Sequence, residues 1–475
     1  MQDAAERSSQ VTASDAAHRP VRSKASLSAG LTWLTWLTWL TWLTWLTWLT
    51  GLAGLRVPVM AALLGASWVV LLGFAAAPAL AQQSLTIAAY PAVDEIVRSA
   101  IPKWKLAHPT VEIKVLSRQF ADHHTAMTTA LSTSFYLPDV MALEVGYVGR
   151  FAQGGGLEDL AQPPYNIGQF QSRFVPYAYA QATSRSGRVV AAPTDIGPGT
   201  LLYRRDTLAK AGLDEADLTR SWDSYVAAGV RIKASTGAYL MAHARDIKDI
   251  VIRSGIQPGE GLYFDRDSQV LVTSPRFVRA FELARQVRQK KLDAKVGAWS
   301  NEWSEGFKRG SIATQLSGAW LAGHLNNWLA PGTRGLWHAA SLPEGAFAAY
   351  GGTFFAIPRG APEDHKALAW QFIQMMTLDR SVQLAAFKSQ DAFPALLETY
   401  DDPFFEQPIS FLGGQAARVG WRESARHISA VSVHKQDAFA SEVIDTELDK
   451  VLDRGKDINA ALADAQRLLQ HRAKR

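Results

Sequence analysis

The residues of this sequence best suited to a recognition chemistry are tryptophans. Nine follow residue 81: Trp104, Trp222, Trp299, Trp303, Trp320, Trp328, Trp337, Trp370 and Trp421. Trp299 and Trp320 stand beside Gly, Ser and Asn in GAWSNEW (297–303) and SGAWLAG (317–323), segments that do not read as core helices. An indole offers a flat apolar face with one polar edge, which suits the C–H face of a sugar ring. Neighbouring carboxylates and amides accept hydrogen bonds from hydroxyls. For Trp299 and Trp320 binding and ordinary packing are both open on composition, whereas Trp104 and Trp370 lie in amphipathic patterns and read as core.

Catalytic patterns are missing by comparison. There are eleven histidines, and the one adjacent pair, His123-His124, diverges on a helix and points to opposite faces of a strand; it reads as solvated helix surface. The sequence has no H-E-x-x-H, G-x-S-x-G, G-x-x-x-x-G-K-[ST] or G-x-G-x-x-G after a strand. Gly197-Pro198-Gly199 and Gly154-Gly155-Gly156 come nearest and read as turns. Glu302 and Glu305 offer the acid pair of a glycosidase, but acids three apart usually mark exposed helix. The chain has no cysteine, which excludes disulfides, thiolate metal sites and cysteine nucleophiles. The expectation is a protein that binds rather than catalyses, without cofactor or metal.

The elements that must position these residues occupy most of the chain. Its 475 residues suggest two or three folding units, and 48% hydrophobic with 20% charged residues is a globular composition. The formal charge of +5 is spread along the sequence, and nucleic-acid binding needs a concentrated basic surface. Residues 1–56 read as a disordered leader containing six Leu-Thr-Trp triplets, a period that fits neither helix nor strand; a membrane-facing helix or the expansion of a short DNA repeat would each produce it. Residues 57–81 carry an apolar run after Arg56 and end in Ala79-Leu80-Ala81, the layout of a secretory signal. Cleavage after Ala81 is expected, a permanent membrane anchor being the alternative, and Met60 is a second possible start. A lipid anchor would need a cysteine, so a soluble mature protein follows.

From residue 82 the pattern is mixed α/β. SLTIAAY (84–90) reads as a strand; Val93, Ile96, Val97, Ala100, Ile101 and Trp104 share one helix face, with a kink allowed at Pro102; a second strand follows His108-Pro109. Strand, helix, strand within about 30 residues implies a parallel βαβ unit. Helices are then expected over 122–133, 147–154, 206–211, from Ser221, over 274–292 and over 437–470, and strands over 138–143 and 199–205. No Gly/Ser or Pro-rich linker divides the chain, so any two lobes must be joined by strands crossing a hinge.

Four blocks of this pattern resemble the extracellular solute-binding proteins of ABC importers, in particular the family 1 sugar-binding type that includes maltose-binding proteins. They are LPDVMALEVGYVGRFAQGGGLEDL (137–160), GRVVAAPTDIGPGTLLYRRDTLAKAGL (187–213), FKRGSIATQLSGAWLAGHL (307–325) and YGGTFFAIPRGAPEDHKALAWQFIQMM (350–376). The resemblance runs from about 84 to 470. It implies a two-lobed α/β periplasmic-binding-protein fold of type II, with lobe 1 over 84–194 plus about 352–395 and lobe 2 over about 200–350 plus 396–470. It further implies a periplasmic monomer that binds a small carbohydrate and delivers it to the transmembrane subunits of an ABC permease. Ligand contacts fall by the same resemblance on Tyr90, Glu144, Tyr147, Asp195, Trp299, Trp320, Gly351 and Gly352, with Asp139 structural. Leu143 replaces an aromatic that some relatives carry, a departure that counts against a long oligosaccharide. A periplasmic glycosidase, or the same fold carrying a polyamine, phosphodiester or metal complex, are the alternatives.

Overall fold

A computed structural model describes residues 83–473, apart from 185, 258 and 432; the leader, the triplet repeat and the signal segment lie outside the described residues. The sheet is built from eight strands: β1 (Ser84–Ala89), β2 (Glu112–Ser117), β3 (Val140–Glu144), β4 (Ala192–Arg204), β5 (Thr314–Gly318), β6 (Trp337–Ala340), β7 (Ala349–Ala356) and β8 (Phe393–Pro394). Their order is β2-β1-β3-β7-β4-β5, with β6 and β8 also on β4. β1 pairs in parallel with β2 and β3, the expected βαβ arrangement. β7 then inserts antiparallel between β3 and β4.

β4 passes between two sets of partners. Residues 192–198 pair with β7 and β8, and residues 199–204 pair with β5 and β6. Gly197-Pro198-Gly199 sits at the crossing point, inside the strand and not in a turn. Packing explains the correction: a Cβ on Gly197 would come 1.9 Å from the Tyr350 carbonyl oxygen, so only glycine lets the strands approach. The pairing shifts register between Ile196 and Pro198, where a residue without an N–H is tolerated.

Apolar side chains gather in two cores. One surrounds β1, β3 and β7 with the helices Val93–Ala107, Val145–Gln153 and Glu363–Leu378, and takes in Trp303, Trp337 and Trp421. The other lies among the helices Trp222–Thr236, Ala244–Arg253, Pro275–Gln289, Asp437–Arg454 and Ile458–Ala473. β4 feeds both, Ile196 into the first and Leu201 into the second. Trp104 and Trp370 are buried in the first core, as their spacing predicted.

Local sequence accounts for most helix ends. Ser221 caps Trp222–Thr236 by accepting from the Ser224 amide at 3.0 Å, and Gly237 ends it in the left-handed conformation. Val93–Ala107 runs through the exposed Pro102. The stretch 437–470 is helical as expected and is divided in two, because Gly455 adopts φ +68 and closes the first helix. Asp139 is structural: its carboxylate accepts from the Thr86 amide at 2.7 Å and meets His365 Nδ1 at 2.8 Å, tying β1 to the helix Glu363–Leu378. Among the described residues no helix is long and apolar enough to cross a membrane.

Candidate functional site

The sheet brings three residues into one row. Glu144 on β3 and Asp195 on β4 each face Thr353 on β7 in register, so the two carboxylates flank one hydroxyl at the lattice spacing of adjacent strands. Tyr90, at the end of β1, bonds that hydroxyl through its own at 2.9 Å, and the Thr353 amide donates to Asp195 at 3.1 Å. Gly351 (φ +87) and Gly352 (φ +140) precede Thr353 in conformations that favour glycine. The row forms one wall of a cavity of about 460 Å³, a size that suits a small organic ligand.

Indoles form another wall. Trp320 follows β5, and Trp320, His324 and Trp328 fall four apart on one helical face, the last of them in a single π turn, Leu325–Leu329. Trp299 reaches the same wall from the loop before helix Asn301–Arg309 and holds φ +68. Its ring is nearly parallel to Trp320 (centroids 5.8 Å, 13°) and to Trp328 (6.3 Å, 18°). The Trp320 Nε1 donates to the Tyr350 carbonyl at 2.8 Å, which fixes the indole against β7. Arg253, at the end of helix Ala244–Arg253, lies 4.9 Å from the Tyr350 ring centroid and bonds the Asp249 carbonyl at 2.9 Å.

The electrostatics of this cavity are unusual for carboxylates. Burial pushes Glu144 up to about 7, against the pull of the Gly146 amide that it accepts at 2.7 Å. Burial likewise raises Asp195 to about 6. Among the described residues neither carboxylate has a Lys or Arg nitrogen within salt-bridge distance; the Arg253 charge pulls Glu144 down by less than burial raises it, and both half-buried acids retain accepting capacity for a ligand. Burial also lowers His324 to about 4, so this imidazole is neutral at physiological pH. No group of His, Asp and Glu among the described residues has metal-site geometry.

Seven of the eight expected contacts line the cavity: Tyr90, Glu144, Asp195, Trp299, Trp320, Gly351 and Gly352. Tyr147 is not among the lining residues; its ring stacks on His124 at 3.9 Å and packs against the first core. His123 and His124 are both buried, contrary to the solvated surface expected of them. His123 Nε2 bonds the Ala142 carbonyl at 2.7 Å, and His124 bonds the Phe120 carbonyl and accepts from the Glu144 amide at 3.1 Å. Helix Phe120–Thr133 therefore uses both to lock β3. Sequence reasoning missed Phe120, Gln181, Arg253, His324, Trp328 and Tyr350, which also line the cavity. The four-residue steps from Trp320 to His324 to Trp328 were a usable signal; nothing local marked Arg253.

Residues 100–411, more than half of the chain, match the family model described as bacterial extracellular solute-binding protein. The chain is 25% identical over 361 residues to a lactose-binding protein of Rhizobium radiobacter, covering 73% of this chain and 82% of that one. It is 24% identical over 283 residues to an arabinooligosaccharide-binding protein of Bacillus subtilis (strain 168), covering 58% and 64%. In fold it is similar to the ABC transporter associated binding protein from B. animalis subsp. lactis Bl-04 in complex with beta-1,6-galactobiose, with TM-score 0.71 and 21% identity over 82% of this chain and 98% of that one. The sugar-binding protein MalE from the phytopathogen Xanthomonas citri gives TM-score 0.66 and 20% identity over 82% and 98%. The mixed α/β architecture is thus the two-lobed periplasmic-binding-protein fold, and the chain belongs to the bacterial extracellular solute-binding proteins, non-enzymatic components of transport systems.

Proposed function

We propose that the protein captures a small carbohydrate in this cavity and hands it to the transmembrane subunits of an ABC permease. One observation carries the reading: nearly parallel indoles and two half-buried carboxylates, neither in a salt bridge, share a single cavity. Indole faces take up the C–H face of a pyranose or furanose. Glu144 and Asp195 accept from its hydroxyls, and Arg253 donates to its ring or hydroxyl oxygens. The sugar-binding names of the relatives agree with this chemistry.

Capture works by closure. Two cores joined through β4 form two bodies, and a ligand touching both holds them together through contacts that exist only in the closed form. The closed form is the one that docks on the permease. Export follows from the Ala79-Leu80-Ala81 signal, with a mature chain beginning two residues before β1 and acting in the periplasm.

The test is a thermal-shift screen of mono- and disaccharides, polyols and polyamines, since a ligand selective for the native state raises Tm. Any saccharide that does so is then titrated by calorimetry against Trp320→Ala. The variant should bind at least about tenfold more weakly, through lost stacking and lost burial. Unchanged affinity removes Trp320 from the site, and a shift by polyamines alone refutes the carbohydrate reading.

A further inference from the structure

The aromatic wall extends beyond what a single sugar ring needs. Of the ten large apolar side chains that stand exposed among the described residues, four line this one cavity: Phe120, Trp299, Trp328 and Phe347. Trp320 is half-buried beside β7, whereas Trp299 and Trp328 are each 54% exposed. Following the rings from Trp320 to Trp299 to Trp328 therefore leads from the buried row of Glu144, Thr353 and Asp195 outward into solvent. All three planes lie within 18° of that of Trp299.

Core packing does not explain this arrangement, because a packing indole is covered and these two are not. Solvent-facing indoles gathered at one place mark a binding surface. The backbone also departs from its relaxed forms to present them. Trp299 holds a positive φ, which a bulky side chain rarely adopts and which persists only where the surroundings enforce it. Trp328 is carried on a π turn, a form that recurs at functional sites. His324 packs against all three rings and is neutral, so it spaces the indoles without placing a charge among them.

We infer that the ligand is an oligosaccharide of at least three rings, the first held beside Trp320 and the acidic row and the later ones lying on Trp299 and Trp328. The inference rests on the carbohydrate reading above and reverses the expectation drawn from Leu143. A one-ring sugar would leave both outer indoles wet, and a two-ring sugar would leave Trp328 so.

Calorimetry on the full mature protein tests it with three series of increasing length: galactose, lactose and galactosyl-lactose; arabinose, arabinobiose and arabinotriose; glucose, maltose and maltotriose. In the series that binds, the trisaccharide should exceed the disaccharide by about tenfold in affinity, one stacked ring. Trp328→Ala, an exposed position whose unchanged Tm verifies folding, should abolish that increment, while Trp320→Ala weakens both lengths alike. A disaccharide bound as tightly as its trisaccharide, or a Trp328→Ala loss equal for both, overturns the inference and leaves the carbohydrate reading standing. Failure of all nine sugars to bind overturns both.

Discussion

Glu144→Gln isolates the cost of keeping a carboxylate in the cavity. Burial raises Glu144 from the ordinary value of 4.5 to about 7. Between those values the native state holds a proton that the unfolded chain has released, so the acid's contribution to stability is complete below about pH 4.5 and is lost as pH rises through about 7. At about 1.4 kcal/mol per pH unit the loss reaches about 3 kcal/mol, a ceiling because the side chain keeps some contact with water. Glutamine matches glutamate in volume and still accepts from the Gly146 amide, yet does not titrate. Urea unfolding of both proteins at pH 5, 6, 7 and 8 should show the variant gaining on the wild type by up to about 3 kcal/mol across the range. Asp195, whose charge adds to the rise in Glu144, is raised to about 6 and is present in both proteins, so its own titration largely cancels. Parallel stability curves would mean that Glu144 titrates like an exposed acid, and the desolvated carboxylate on which the site's chemistry rests would be gone.

Lys248 is fully buried and bonds both Asp249 and Asp445; Lys248→Ala takes the lysine from both and leaves Asp249 with Arg253 alone, and should cost about 3 kcal/mol in urea unfolding, whereas a loss under about 1 kcal/mol would show the lysine's ion pairs to be solvated. Gly351→Ala places a Cβ at φ +87 and 2.8 Å from the Trp320 Nε1. It should lower stability by about 1–3 kcal/mol and weaken saccharide affinity in calorimetry; an unchanged Kd would separate the Gly351 backbone from ring placement.

Short-range patterns were legible because short-range physics sets them. The 3.6-residue spacing in Val93–Ala107, the Ser cap at Ser221 and the turn at His108-Pro109 each involve residues within a few positions of one another. Strand order was not legible. β7 lies between β3 and β4 through pairs such as Met141 with Ala356 and Ala192 with Phe355, and no local periodicity reports a partner more than a hundred residues away. The same distance hid Arg253, which reads as a cation favourably placed at a helix C-terminus until Tyr350 is folded against it. Tyr147 lies off the cavity lining for a related reason: three residues after Glu144 it looks like part of the same loop, but Val145–Gln153 is already helical, and the ring stacks on His124.

The site concentrates where β4 changes partners, and that follows from what each half of the strand must do. Asp195 pairs with Thr353 three residues before Pro198, and Gly199 pairs with Gly318, which stands two residues before Trp320. A single strand thus fixes the acidic row and the root of the indole wall within five residues. Gly318 and Gly351 both crowd the Trp320 Nε1, where any Cβ would come within 2.8 Å, so the indole is held by the two strands that flank the crossing. A change in the angle between the halves of β4 is therefore felt at once by the carboxylates and by the rings. The acidic row and the indole wall share one strand, so a longer relay of side chains between them is not required.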